Sequence, residues 1–164
     1  MHDLVVHYLE SVPPKDHPLA IALLQPTNPF IRSWHVEGLV NALHQRPGKG
    51  SPKPHFLTAQ TIVKVPHNFH WMNQRTFDST GLVKMQFPRQ RAEAWNEQRK
   101  PDAFKFGNLY VARPEALYRK EGFLSGPAFG LQIDWFDAID IDNKDDLDIA
   151  NALCNAGYWQ ENGK

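Results

Sequence analysis

The segment Trp135-Phe-Asp-Ala-Ile-Asp-Ile-Asp-Asn-Lys-Asp-Asp-Leu-Asp148 constrains this chain more than any other, because its periodicity changes within a few residues. From Ile139 to Asp142 apolar and acidic residues alternate, which predicts a β-strand over 137–141 with Ile139 and Ile141 entering a core. Asp140 and Asp142 then share the opposite face, about 7 Å apart along an extended chain. From Asn143 the spacing turns helical: Asn143 is placed as an N-cap, Asp146 as its N3 acid, and Leu147, Ala150 and Cys154 recur on one stripe. Strand end, acidic turn and helix start in succession mark the place where open α/β sheets hold ligands. An oxygen-rich, anionic corner of this kind suits a hard cation such as Mg2+, so Asp140 and Asp142 are the metal-ligand and catalytic candidates. The same acids would serve equally as caps and solvated turn residues, and residue type alone leaves both readings open.

The other elements fit the same architecture. Leu4, Val5, Tyr8 and Leu9 form one stripe of a helix over 2–10. Prolines 13, 14 and 18 end it, and Leu19-Ala-Ile-Ala-Leu-Leu24 is short and uniformly apolar, as a strand buried on both faces of a parallel sheet would be. Gln25-Pro-Thr-Asn-Pro-Phe30 is a loop just past that strand, where Gln25 and Thr27 offer an amide and a hydroxyl to a small polar ligand; a self-satisfied proline turn is the competing reading. Ser33 is predicted to cap a helix carrying Val36, Leu39, Val40 and Leu43. A basic, flexible loop follows over 46–54, then a strand over 56–65. Residues 66–105 lack clear periodicity and read as an excursion from the main sheet, a possible subunit-contact arm. Strands are expected over 108–113 and 128–134, with a helix from Pro114 to Lys120 between them.

At 164 residues the chain has the length of one ordinary domain, and 18 basic against 18 acidic residues give no strong pull toward nucleic acid or an anionic membrane. The charge is uneven: 84–120 holds nine Lys or Arg, including Arg89-Gln90-Arg91, while 134–148 holds seven Asp and one Lys, an arrangement able to bracket a phosphate-bearing ligand with its metal. The lone Cys154 excludes an internal disulfide, is assigned to packing, and fits a reducing cytoplasmic setting. No apolar run exceeds six residues, so neither a membrane span nor a secretory signal is expected. His67 and His70 have H-x-x-H spacing that could bind zinc, but no third ligand stands near and the flanking aromatics favour packing. Tyr110 and Phe123 could wall a sugar pocket, though core packing explains such aromatics as well.

Leu24-Gln-Pro-Thr-Asn-Pro-Phe30, Arg89-Gln90, Gly107-Asn-Leu-Tyr-Val-Ala-Arg113 and Ala138-Ile-Asp-Ile-Asp-Asn-Lys-Asp-Asp-Leu147 together resemble, in this order, the acylneuraminate cytidylyltransferase (CMP-sialic acid synthetase) family. The resemblance implies an α/β protein with the three-layer α/β/α nucleotidyltransferase (Rossmann-like) fold, a mixed central sheet in a single domain over 1–164, and a homodimer joined through an arm over 46–105. It implies Mg2+-dependent transfer of CMP from CTP to a nine-carbon acidic sugar with release of pyrophosphate, the metal held by Asp140 and Asp142. Gln25 would then touch the sugar, Arg89 its carboxylate or the phosphate, and Tyr110 and Phe123 would line the sugar side.

Three departures qualify the resemblance. Family members begin with a strand and a Gly- and Lys/Arg-rich nucleotide loop, and nothing like it precedes His2, so an N-terminally truncated fold is expected. Phe106 stands where the family has an asparagine, removing a hydrogen-bonding amide. The stretch between Arg89 and Tyr110 is longer than usual. The alternative to an enzyme is therefore a truncated, non-catalytic homologue acting as a sugar-binding or assembly partner.

Overall fold

A computed structural model of the chain describes residues 2–45 and 55–161; the basic loop expected over 46–54 lies outside the described residues. Two compact units are present, the first formed by residues 1–62 with 106–164 and the second by 63–105.

The first unit is built on a four-stranded mixed sheet of order β1-β5-β2-β6, where β1 is Ile21–Leu23, β2 Thr58–Lys64, β5 Phe104–Ala112 and β6 Ala128–Gln132. β2 and β6 run parallel, with Thr58 opposite Ala128 and Ile62 opposite Gln132. β1 runs antiparallel to β5. The expected six-residue strand buried on both faces is thus a three-residue, half-buried edge strand, and Leu19 and Leu24 are solvent-exposed. Ile21 packs on the core at one face and Ala20 and Ala22 on the core at the other, so both faces are covered as expected; what uniform hydrophobicity does not encode is that the strand is short and lies at the sheet edge.

Helices cover both faces of the sheet. On one, Leu39 and Leu43 of α2 (Ser33–His44) are fully buried against Ala59, Leu109 and Val111. On the other, Leu9 of α1 (His2–Ser11) meets Leu57, Ala112, Ala116 and Leu117, the last two from α4 (Pro114–Leu117). Within the α1 stripe only Val5 and Leu9 face inward; Leu4 and Tyr8 are exposed. α4 stops at Leu117, short of the expected Lys120, because Gly122 turns the chain back at φ +53° under the His2 ring. β5 begins four residues before the expected start, and Gly107 allows it: a Cβ there would lie 2.5 Å from Thr61 Oγ1 on β2.

The second unit carries a hairpin of β3 (Arg75–Phe77) and β4 (Val83–Met85), and the short helix α3 (Pro88–Glu93). Asp78 Oδ1 accepts from the backbone N–H groups of Thr80 and Leu82, and Gly81 closes the turn at φ +85°. Strands of three residues leave no readable period, which is why this hairpin was not predicted.

Candidate functional site

The segment expected to be a strand over 137–141 is not one. Residues Phe136–Ala138 form a 3-10 turn, opened by Asp134 Oδ1 accepting from Phe136 N–H, and 139–142 run extended without pairing in the sheet. What fixes the segment is a set of tethers on its odd-numbered residues. The Asp137 carbonyl accepts from Asn108 Nδ2 of β5 at 2.7 Å, the Ile139 carbonyl from Asn28 Nδ2 at 3.5 Å, and Ile141 N–H donates to the Thr27 carbonyl at 2.9 Å. The even-numbered Asp140 and Asp142 are exposed. The alternation in the sequence therefore encodes alternate exposure, as predicted, with a scaffold of loops and amides in place of a β-ladder.

The tether at residue 137 is reinforced by its side chain. The Asp137 side chain is 4 % exposed; its Oδ1 accepts from Arg32 Nε at 3.0 Å, and His35 Nε2 lies 3.4 Å from its Oδ2. His35 is fully buried, and its Nδ1 accepts from the Arg32 backbone N–H, which leaves Nε2 as the ring nitrogen beside the carboxylate. Burial alone would raise the Asp137 pKa; hydrogen bonds from His35 and Arg32, with the Arg32 charge, more than reverse this and hold it below the ordinary carboxylate value. Arg32 also donates to the Trp159 and Tyr158 carbonyls of α6 (Tyr158–Glu161) at 2.8 and 3.3 Å, and its guanidinium lies 5.1 Å over the Tyr158 ring. Burial, then the Asp137 charge, pushes the Tyr158 phenol up to about 12. Arg32, and not Ser33, is the N-cap residue of α2. None of these four side chains was singled out from the sequence; an arginine, a histidine three residues on and an aspartate a hundred residues later have no shared period to betray them.

Asn143 caps α5 (Lys144–Asn155) as expected: its Oδ1 accepts from the N–H groups of Asp145 and Asp146, while Asp146 Oδ2 accepts from those of Asp142 and Asn143. Asp146 is thereby committed to the cap. Ala150 is the buried residue of this helix, whereas Leu147 and Cys154 are exposed, so the assignment of Cys154 to packing is corrected.

The Gln25 turn joins this corner through the Thr27 carbonyl; Gln25 is half-buried, and the Thr27 side chain is exposed. Two residues along the β5 face from Asn108, Tyr110 stacks on Phe106 at 4.0 Å with the rings 9° from parallel, and Phe123 stands 6.2 Å away. Phe106 thus covers Tyr110 with an apolar ring. Arg89 belongs to the second unit, exposed on α3.

For Mg2+, two exposed carboxylates two residues apart on a tethered segment suit an ion that takes one or two protein carboxylates and completes its octahedron with phosphate oxygens and water. Among the described residues no group of three or more His, Cys, Asp or Glu comes together, so an all-protein cage is not what this corner offers. The H-x-x-H pair is not a metal site: His70 is 3 % exposed, its Nδ1 accepts from Met72 N–H at 3.2 Å and its Nε2 donates to the Pro101 carbonyl at 3.0 Å, leaving no lone pair free. No described helix is long and apolar enough to cross a membrane.

No protein-family model and no curated protein sequence matches the chain. Among solved structures it is similar to CMP:2-keto-3-deoxy-manno-octonic acid synthetase complexed with CTP. The two share 14 % identity and a TM-score of 0.56, over 95 % of this chain and 68 % of that one. At this identity the likeness establishes the fold. The chain has a nucleotidyltransferase-like α/β architecture with a mixed sheet, as the sequence led one to expect.

Proposed function

We propose that the chain is a nucleotidyltransferase that moves CMP from CTP to the anomeric hydroxyl of an acidic sugar and releases pyrophosphate. One observation supports this above others: an acidic segment tethered at residues 137, 139 and 141 and open at Asp140 and Asp142, on a fold shared with a synthetase solved with CTP. In the reaction the sugar oxygen bonds to the α-phosphorus as the bond from that phosphorus to its bridging oxygen breaks, and the hydroxyl proton passes to water. Alignment and neutralisation of phosphate charge lower such a barrier. Mg2+ on Asp140 and Asp142 would offset charge on the departing pyrophosphate. Gln25 and Thr27 would offer polar groups to the sugar, and the Tyr110 and Phe123 rings an apolar wall.

The motif resemblance favours a nine-carbon acid of the sialic type, whereas the structural neighbour is named for an octonic acid. Both therefore belong in the assay. Incubation with CTP, Mg2+ and either acid is expected to release pyrophosphate, and Asp140→Asn and Asp142→Asn to abolish the release. Turnover that survives both substitutions refutes the metal assignment, and a chain that binds the acid without turnover would be the non-catalytic partner instead.

A cytoplasmic homodimer completes the proposal. Phe69, Phe77, Leu82, Val83 and Trp95 of the second unit are all exposed, apolar side chains that a second copy would cover. Light scattering in solution is expected to give twice the chain mass, and Phe77→Asp to shift it toward the monomer.

A further inference from the structure

Resting on the metal reading above, we infer that Asp137 and Arg32 are positioning residues for the metal-binding acids Asp140 and Asp142. Residues 139–142 have no sheet partner, so their geometry depends on a few bonds, those at the odd-numbered positions and the one from Asp142 N–H to Asp146 Oδ2. The bond at 139 is long, at 3.5 Å, and the one at 141 ends on a turn carbonyl. Residue 137 differs in kind. Its backbone oxygen is held by Asn108, an amide itself fixed because its Oδ1 accepts from Thr61 Oγ1 at 3.0 Å, and its carboxylate is clamped by Arg32 and His35 inside the protein. Arg32 in turn is held by the Trp159 and Tyr158 carbonyls. The segment thus has one rigid anchor, three residues before the first exposed acid. Supporting groups of this sort orient metal-bearing side chains, and their loss typically weakens metal affinity roughly 10- to 100-fold.

The chemistry also separates this role from plain stability. Asp137→Asn keeps the shape and can still accept from Arg32, but it removes the charge that sets the position of the Arg32 fork. Arg32 keeps its bonds to the Trp159 and Tyr158 carbonyls and its place over the Tyr158 ring, so the anchor loosens at the Asp137 end.

The test uses Mn2+ alone as probe, titrated into the full chain, with paramagnetic broadening of the backbone amide signals of residues 140–146 giving an apparent affinity without turnover. Wild type is expected to show saturable broadening that Asp140→Asn removes. Asp137→Asn should weaken the affinity at least 10-fold, and Arg32→Lys, which keeps a cation but loses the fork, by an intermediate factor. Leu9→Ala destabilises the core on the opposite face of the sheet from α2, and should leave the affinity unchanged at a temperature below its melting transition. If Asp137→Asn binds Mn2+ as wild type does while Asp140→Asn does not bind it, the positioning role is overturned and the metal site stands. If Leu9→Ala weakens binding as much as Asp137→Asn, general destabilisation is the cause and the inference also falls. If wild type shows no broadening that depends on Asp140, the metal reading itself is what failed.

Discussion

Removing Arg32 should cost this fold far more than removing any of its exposed charges. Replacement by Met keeps much of the aliphatic stem but deletes the 3.0 Å bond to Asp137 Oδ1, the bonds to the Trp159 and Tyr158 carbonyls, and the cation over the Tyr158 ring. The Arg32 and Asp137 side chains are 11 % and 4 % exposed, so the carboxylate is left charged, desolvated and facing only His35. Breaking a buried pair in this way costs about 3–5 kcal/mol, because one charge stays behind without compensation. For a chain of this length the melting temperature would fall by about 6–20 °C. Urea denaturation followed by far-ultraviolet circular dichroism measures the loss, compared at equal m-value. The decisive comparison is the double variant Arg32→Met with Asp137→Leu, which removes the stranded charge and should recover roughly 1–3 kcal/mol of coupling. A loss below about 1 kcal/mol in the single variant, or strictly additive losses in the double, would show that water reaches Asp137 and that the buried-pair account is wrong.

Asp140→Asn and Asp142→Asn remove exposed carboxylates outside any packed element, so each should change stability by no more than about 0.5 kcal/mol while abolishing pyrophosphate release; a parallel fall in melting temperature would undo that separation. Asn143→Ala deletes the acceptor for two α5 N–H groups and should cost about 0.5–2 kcal/mol by urea denaturation, against no loss for Asn143→Asp, which keeps that acceptor. Because the Asp137 pKa is depressed on folding, its contribution is fully present above the ordinary value of 3.8 and is lost as pH falls through the lower folded value; Asp137→Asn should flatten the acid limb of a stability-versus-pH curve, and an unchanged limb would contradict the pairing. Tyr158 has the opposite sign: its phenol is raised from 10.0 to about 12, so stability is lost as pH climbs through that interval, and ultraviolet titration should show a tyrosine ionising near the top of that interval, a signal that Tyr158→Phe removes while the burial-raised Tyr110 remains.

The sequence disclosed those parts of this molecule that depend on local period. α2, α5 with its Asn143 and Asp146 cap, β2 and β6 all follow from spacing within a dozen residues, and the in-and-out alternation of Ile139 to Asp142 survives intact. It misled where one pattern has two structural causes. Leu19–Leu24 is uniformly apolar yet supplies a short edge strand, and an alternating segment needs a surface on each side but no ladder. It was silent on contacts between distant residues, above all Arg32, His35, Asp137 and Tyr158, whose partnership exists only once the fold brings them together.

That silence explains why the acid pair looked ambiguous on residue type alone. Solvated turn acids and metal ligands have the same side chains; what separates them is whether the backbone between them is held. A turn acid of the first kind needs only its cap, the state of Asp146, whose Oδ2 is already occupied by two backbone N–H groups. Asp140 and Asp142 take no such bond within the described residues, and yet the backbone on either side of Asp140 is tied to Asn28 and to the Thr27 carbonyl. Fixing a backbone while leaving its carboxylates open costs conformational entropy that no local contact of those carboxylates returns. A cation shared by both acids, as proposed above, would return it.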